Sequence, residues 1–266
     1  MNILKQELKS NWKPFLIWVM GIAFLIIGGM VKFNAVRGSG EGMFSGMMEQ
    51  IPKPVLVIFG MSEGNIETLG GYYSVLEYYV MIVASCYAVA LGCGSVLRES
   101  IDKTYEFLYT KPCGRTHILV MKMSAGFIFL TLLCLLNTCF SLLAPEIYGI
   151  HNSITKPIFL FSLSIWLVAV LFFVVSAFLA VAVKKVNLAT QLGYGAVLLS
   201  YVFALLFDID EKFNAMRFLT PFKYFRVEEL LAGVFPYGFA AAIIIMVMLA
   251  FSGTLLLFQK KDLIAI

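Results

Sequence analysis

Charge is what this chain of 266 residues has least of: Asp, Glu, Lys and Arg together make up 14% of it. A soluble domain of similar length carries about a quarter. Histidine is nearly absent, with two residues, His117 and His151, so a His-based metal or haem centre is excluded. The five cysteines are odd in number and contain no CxxC pair, which argues against a disulfide framework or a zinc site. Four of them, at 86, 93, 134 and 139, lie in apolar runs and read as small buried hydrophobes. The dipeptide Gly-Lys does not occur, so the chain cannot build a P-loop, and HExxH is missing as well. No internal repeat and no linker divides the chain, which reads as one domain over residues 1–266.

What is present is hydrocarbon. Hydrophobic residues make up 61% of the chain and its mean hydropathy is +0.90, too much for a large soluble core to absorb. The solvent for such a surface is lipid, and the net charge of +4 carries no implication of nucleic acid. A bilayer core of about 30 Å takes roughly 20 apolar residues in a helix. Six segments meet that length, at about 15–33, 75–97, 118–144, 158–183, 188–207 and 237–258. They lack the alternation of barrel strands, so the fold class predicted is an all-α integral membrane protein. Ahead of the first span, Leu4, Leu8 and Trp12 recur every fourth residue beside Lys5, Lys9 and Lys13. That pattern predicts a short interfacial helix, with Pro14 in the first turn of the next helix.

Orientation follows from the loops. The N-terminus, the 98–117 loop, Lys184-Lys185 and Lys260-Lys261 fall on one side with twelve Lys and Arg, counting Lys122; the longer loops opposite hold eight. The positive-inside rule places both termini in the cytoplasm. The outer loops, at 43–59 and 211–235, mix aromatic, Met and charged residues and predict short helices on the membrane surface. Ala84, Ala88 and Gly92 form a small-residue stripe suited to close helix packing, and Ala189 and Gly193 repeat it more weakly. Glu77 and Lys122 each sit about one turn inside a span, where snorkelling to the interface accounts for them.

The loop from Arg98 to Lys122 departs from this apolar background. It contains five of the twenty Lys and Arg residues and three of the sixteen acids. Leu97, Ile101, Tyr105 and Leu108 share one helical face, with Glu99, Asp102, Lys103 and Glu106 on the others, and Pro112 and Gly114 end the helix. An amphipathic cytoplasmic helix of this kind suits a groove on a partner. The run Glu99-x4-Thr104-Tyr105-Glu106-Phe107-Leu108-x2-Lys111-Pro112-x2-Arg115-x6-Lys122 resembles the intracellular loop of ABC-2-type transporter permeases, although Lys103 stands where glycine is common and Cys113-Gly114 replaces the usual residues. The external Leu219-Thr220-Pro221-Phe222-Lys223-Tyr224-Phe225 segment and the ending Phe258-x2-Lys261-Asp262-Leu263 are similar to that family too. Within it, the size and the Met- and Phe-rich loops resemble membrane subunits of Gram-positive peptide exporters of the phenol-soluble modulin type. Bacitracin- and lantibiotic-resistance permeases are near neighbours, and with lipid-type ABC permeases they form the alternative within the family.

The resemblance implies a bacterial cell-membrane permease with no catalytic residues and no cofactor or metal of its own. ATP and Mg would be bound by a cytoplasmic ATPase dimer docked on Glu99, Ile101, Tyr105, Glu106, Leu108 and Arg115. A second permease, identical or homologous, lipid and a peptide substrate complete the implied partners. The alternatives are an energy-independent channel or scaffold, and an intramembrane enzyme, which the missing catalytic groups disfavour.

Overall fold

The computed structural model describes residues 3–38, 50–61, 66–101, 114–149, 154–183, 185–209 and 217–260. They form the helices α1 (Ile3–Gly38), α2 (Lys53–Ile58), α3 (Leu69–Ile101), α4 (Arg115–Ile147), α5 (Thr155–Ala182), α6 (Val186–Ile209), α7 (Val227–Leu231) and α8 (Tyr237–Lys260), and no strand occurs among the described residues. Six of them are long and apolar enough to cross a membrane: α1, α3, α4, α5, α6 and α8. Each contains most or all of one segment anticipated from the sequence. The two 33-residue helices, α3 and α4, are about 50 Å long at 1.5 Å per residue. They therefore project well beyond the hydrocarbon.

The most apolar helix, α5, lies at the centre, and α3 packs along it more extensively than any other pair. Small residues set their separation. A Cβ added at Gly92 would run into the Ser176 hydroxyl and the Phe173 carbonyl of α5, so the two backbones nearly touch there. Ala84 and Ala88 are buried in the same core. Along the same seam, α6 approaches both helices through the buried Ala189 and through Gly193, whose added Cβ would stand 2.8 Å from Val89 of α3 and 3.5 Å from Ser176 of α5. With no hydrophobic drive between helices in lipid, this closeness is where dispersion contacts are gained. Outward faces such as Ile17, Met20 and Phe24 on α1 and Ile245, Met248 and Leu249 on α8 remain exposed, as lipid-facing residues do.

Two expectations fail here. The chain does not break at Pro14: α1 is one 36-residue helix with that proline inside it. Proline removes only one N–H from the ladder, and aromatic contacts hold the helix on the bundle around it. Phe15 packs tilted against Phe129 of α4, ring centres 5.1 Å apart, and Trp18 against Tyr87 of α3 at 5.3 Å, while Trp12 covers Phe15 from within α1 at 5.8 Å. The second failure concerns the loop before α8. Residues 220–225 do not lie on the surface; all six are buried. Thr220 donates to the Ser200 carbonyl at 2.7 Å, and Phe222 lies 5.6 Å from Phe172 of α5. Ser200 is nine residues before the end of α6, about 13 Å inside it, so the segment re-enters the bundle. Of the 43–59 loop, only residues 50–59 are described; Lys53–Ile58 is helical there, with Pro54 in its first turn.

Candidate coupling and gating sites

Contacts group the helix ends. The start of α1, the end of α3, the start of α4 and the end of α8 meet at the end of the bundle that carries the termini. There Glu7 ties three helices together. Its carboxylate lies 3.8 Å from Arg98 of α3 and 3.7 Å from Lys122 of α4. Arg98 also donates to Asn11 at 3.0 Å, and Asn11 donates back to the Glu7 carbonyl at 3.1 Å. Gln259 of α8 donates to Thr116 of α4 at 3.2 Å. Lys122 does not snorkel to headgroups: its side chain is 3% exposed, and one of its partners is Glu7. The i, i+4 spacing of Glu7 and Asn11 placed them on one face, but nothing local shows that this face meets Arg98 and Lys122.

Arg98 and Lys122 flank the loop singled out in the sequence. Glu99 and Ile101 continue the α3 helix as backbone, and Arg115 opens α4 on an exposed position after Gly114. Tyr105, Glu106 and Leu108 lie outside the described residues. The structure thus holds the two roots of the loop beside one acidic residue of α1.

Nearer the opposite end is a second polar group, and here the sequence reading is wrong. Glu77 does not snorkel; it is fully buried between α3 and α4. Asn137 Nδ2 donates to both carboxylate oxygens, at 3.0 and 3.3 Å, and Ser141 Oγ donates at 2.9 Å. Tyr73, one turn before Glu77, places its hydroxyl beside the carboxylate but outside hydrogen-bond geometry. Asn137 Oδ1 is also buried without a partner. The available signal was weak: Tyr73 and Glu77, and Asn137 and Ser141, are i, i+4 pairs of polar residues within apolar runs.

The re-entrant segment is held by its own ion pair. Lys223 Nζ lies 2.6 Å from Asp208 at the end of α6, both side chains nearly enclosed, and 5.5 Å from the centre of the Tyr78 ring. Arg217 donates to the carbonyls of Lys223 and Tyr224, both at 3.2 Å, and sits 4.4 Å from the Phe239 ring. Burying Lys223 is tolerable because a carboxylate and an aromatic face replace its water. Between α4, α5 and α8 there is a cleft of about 300 Å³ lined by Met123, Phe127, Phe173, Val174, Val247 and Phe251 among others. Its lining offers hydrocarbon and aromatic contacts, with Ser124 the only residue bearing a polar side chain.

A helical bundle whose surface is hydrocarbon over six spans, with charge collected at its ends, is a multi-pass membrane protein. The chain belongs to the ABC-2 family transporter proteins, whose family pattern matches residues 1–263. It is therefore a transmembrane subunit of an ABC transporter, the membrane part rather than the ATPase, and membership implies work with an ABC ATPase. No curated protein matches its sequence.

Proposed function

We propose that this subunit exports an amphipathic peptide across a bacterial cell membrane, with both termini cytoplasmic, and that its ATPase partners dock on the 98–115 loop. The observation that carries the coupling is the placement of Glu7. One side chain spans the roots of the loop, so force applied there is delivered to α1, α3 and α4 together. The docking surface is the face of Ile101, Tyr105 and Leu108 flanked by Glu99 and Glu106, with Arg115 at the far root. A motor shifts a membrane helix pair only by binding its states differently, so this face makes different contacts in each nucleotide state. ATP and Mg stay in the ATPase dimer.

The twelve positive charges on the side of the termini support the orientation. The aromatic re-entrant segment and the apolar cleft support a substrate with a hydrophobic face. The exposed stripes on α1 and α8 leave area for a second permease, identical or homologous, besides lipid. In the test, the chain is extracted in mild detergent with the ATPase that accompanies it, and ATP hydrolysis by the complex is measured in lipid. Amphipathic helical peptides raise the rate several-fold. A rate that responds to bacitracin or lantibiotics and not to such peptides would move the substrate to the neighbouring resistance class, and no bound ATPase would sink the coupling.

A further inference from the structure

The Glu77 cluster has no part in that mechanism, yet its cost demands a role. An ionised carboxylate removed from water is expensive unless it is paired with a positive charge. Among the described residues no Lys, Arg or His faces Glu77. On its own helix it meets Tyr73, and from α4 it meets Asn137, Ser141 and the Cys134 thiol; α1, α5, α6 and α7 bring no titratable group against it. Glu77 lies eight residues into α3, about 12 Å along it, and is completely enclosed.

We propose that Glu77, Asn137 and Ser141 form a proton-binding site between α3 and α4, with Glu77 the group that takes up and releases the proton. The same atoms serve both states, each state leaving one half of the Asn137 amide unpartnered. When Glu77 is ionised, its oxygens accept from Asn137 Nδ2 and Ser141 Oγ in the observed arrangement. When a proton adds to one carboxylate oxygen, the new O–H needs an acceptor. The Asn137 amide supplies it by turning over, because Oδ1 is an acceptor that is buried and unpartnered. No covalent bond other than O–H forms or breaks. A metal ion is the poorer occupant: at 2.9–3.3 Å the side chains already touch one another, and a proton is the ligand that fits between them. An enclosed carboxylate that faces no cation among the described residues, held by an amide able to present either its N–H or its oxygen, is what distinguishes a site that changes state from a fixed clamp.

The partners come from two different helices, so separating α3 from α4 would strip Glu77 of both donors at once. Proton occupancy is thereby tied to the spacing of these helices, whatever moves them.

Infrared difference spectroscopy on the full chain reconstituted in lipid tests this without any ATPase, so its failure would leave the coupling reading untouched. The expected result is a protonated-carboxyl band that shifts in heavy water, is lost reversibly as pH rises, and is absent in Glu77→Gln. That variant keeps the size and a neutral polar group, which favours folding. Ser141→Ala is the second variant: it removes one donor to the ionised form and shifts the midpoint of the titration without abolishing the band. A band that persists in Glu77→Gln, a band that does not titrate, or a midpoint unmoved by Ser141→Ala would each overturn the proposal.

Discussion

Gly92 carries the closest approach in the molecule between α3 and α5, and it does so by lacking a side chain. A methyl group there would meet the Phe173 carbonyl, which is backbone and cannot swing aside. Gly92→Ala therefore forces the two central helices apart and lowers stability by about 1–3 kcal/mol, the usual cost of overpacking. Gly94, two residues on, has nothing within 4 Å of an added Cβ. Gly94→Ala is expected to leave stability unchanged or slightly raised, since alanine is the better helix former. Thermal unfolding of the two variants in one detergent makes the comparison. At Lys223 and Asp208 the relevant effect is desolvation. Removing either partner alone leaves the other enclosed, at a cost of about 3–5 kcal/mol, whereas replacing both with apolar residues is much milder. Lys223→Met, Asp208→Leu and the double variant, melted side by side, should show that non-additive pattern.

The long elements were legible in the sequence, because uncharged runs of membrane length leave few alternatives to a helix. What escaped was anything decided by a partner distant in sequence. Glu77 read as a snorkelling acid because its partners, Asn137 and Ser141, are 60 and 64 residues away. Residues 220–225 read as interfacial because aromatic and basic residues suit a headgroup layer as well as they suit a buried ion pair with Asp208. Pro14 read as a boundary because propensity alone does not include Phe15 and Trp18 holding α1 against Phe129 and Tyr87. The coupling loop was the reverse case. Its pattern stood out in the sequence, while residues 102–113 lie outside those described. At this scale the sharpest prediction concerns α1 as the brace of that loop. Glu7→Gln removes the charge from two ion pairs, at 3.8 Å to Arg98 and 3.7 Å to Lys122, and so loosens the brace. Transport should fall several-fold while the ATPase remains bound, which co-purification and uptake into vesicles can separate.

The whole molecule is a bundle organised about α5, with polar machinery at both ends. At one end Glu7 joins α1, α3 and α4 beside the loop proposed to receive the motor; near the other, Glu77 sits on α3, which those movements would displace, and Lys223, paired with Asp208, lies against Tyr78 of the same helix. Since α3 and α4 run the full length between the two ends, a tilt imposed at Arg98 and Lys122 reaches Tyr78 and Asn137 through rigid backbone. Coupling of ATP hydrolysis to transport depends most on the proposed engagement of the 98–115 loop by the motor. The direct measurement is recovery of the ATPase with the chain carrying Tyr105→Ala and Glu106→Ala together, alongside peptide transport by the same preparation. The double variant is expected to fold and insert normally but to lose both the bound ATPase and transport. Retention of both at wild-type levels would contradict that engagement.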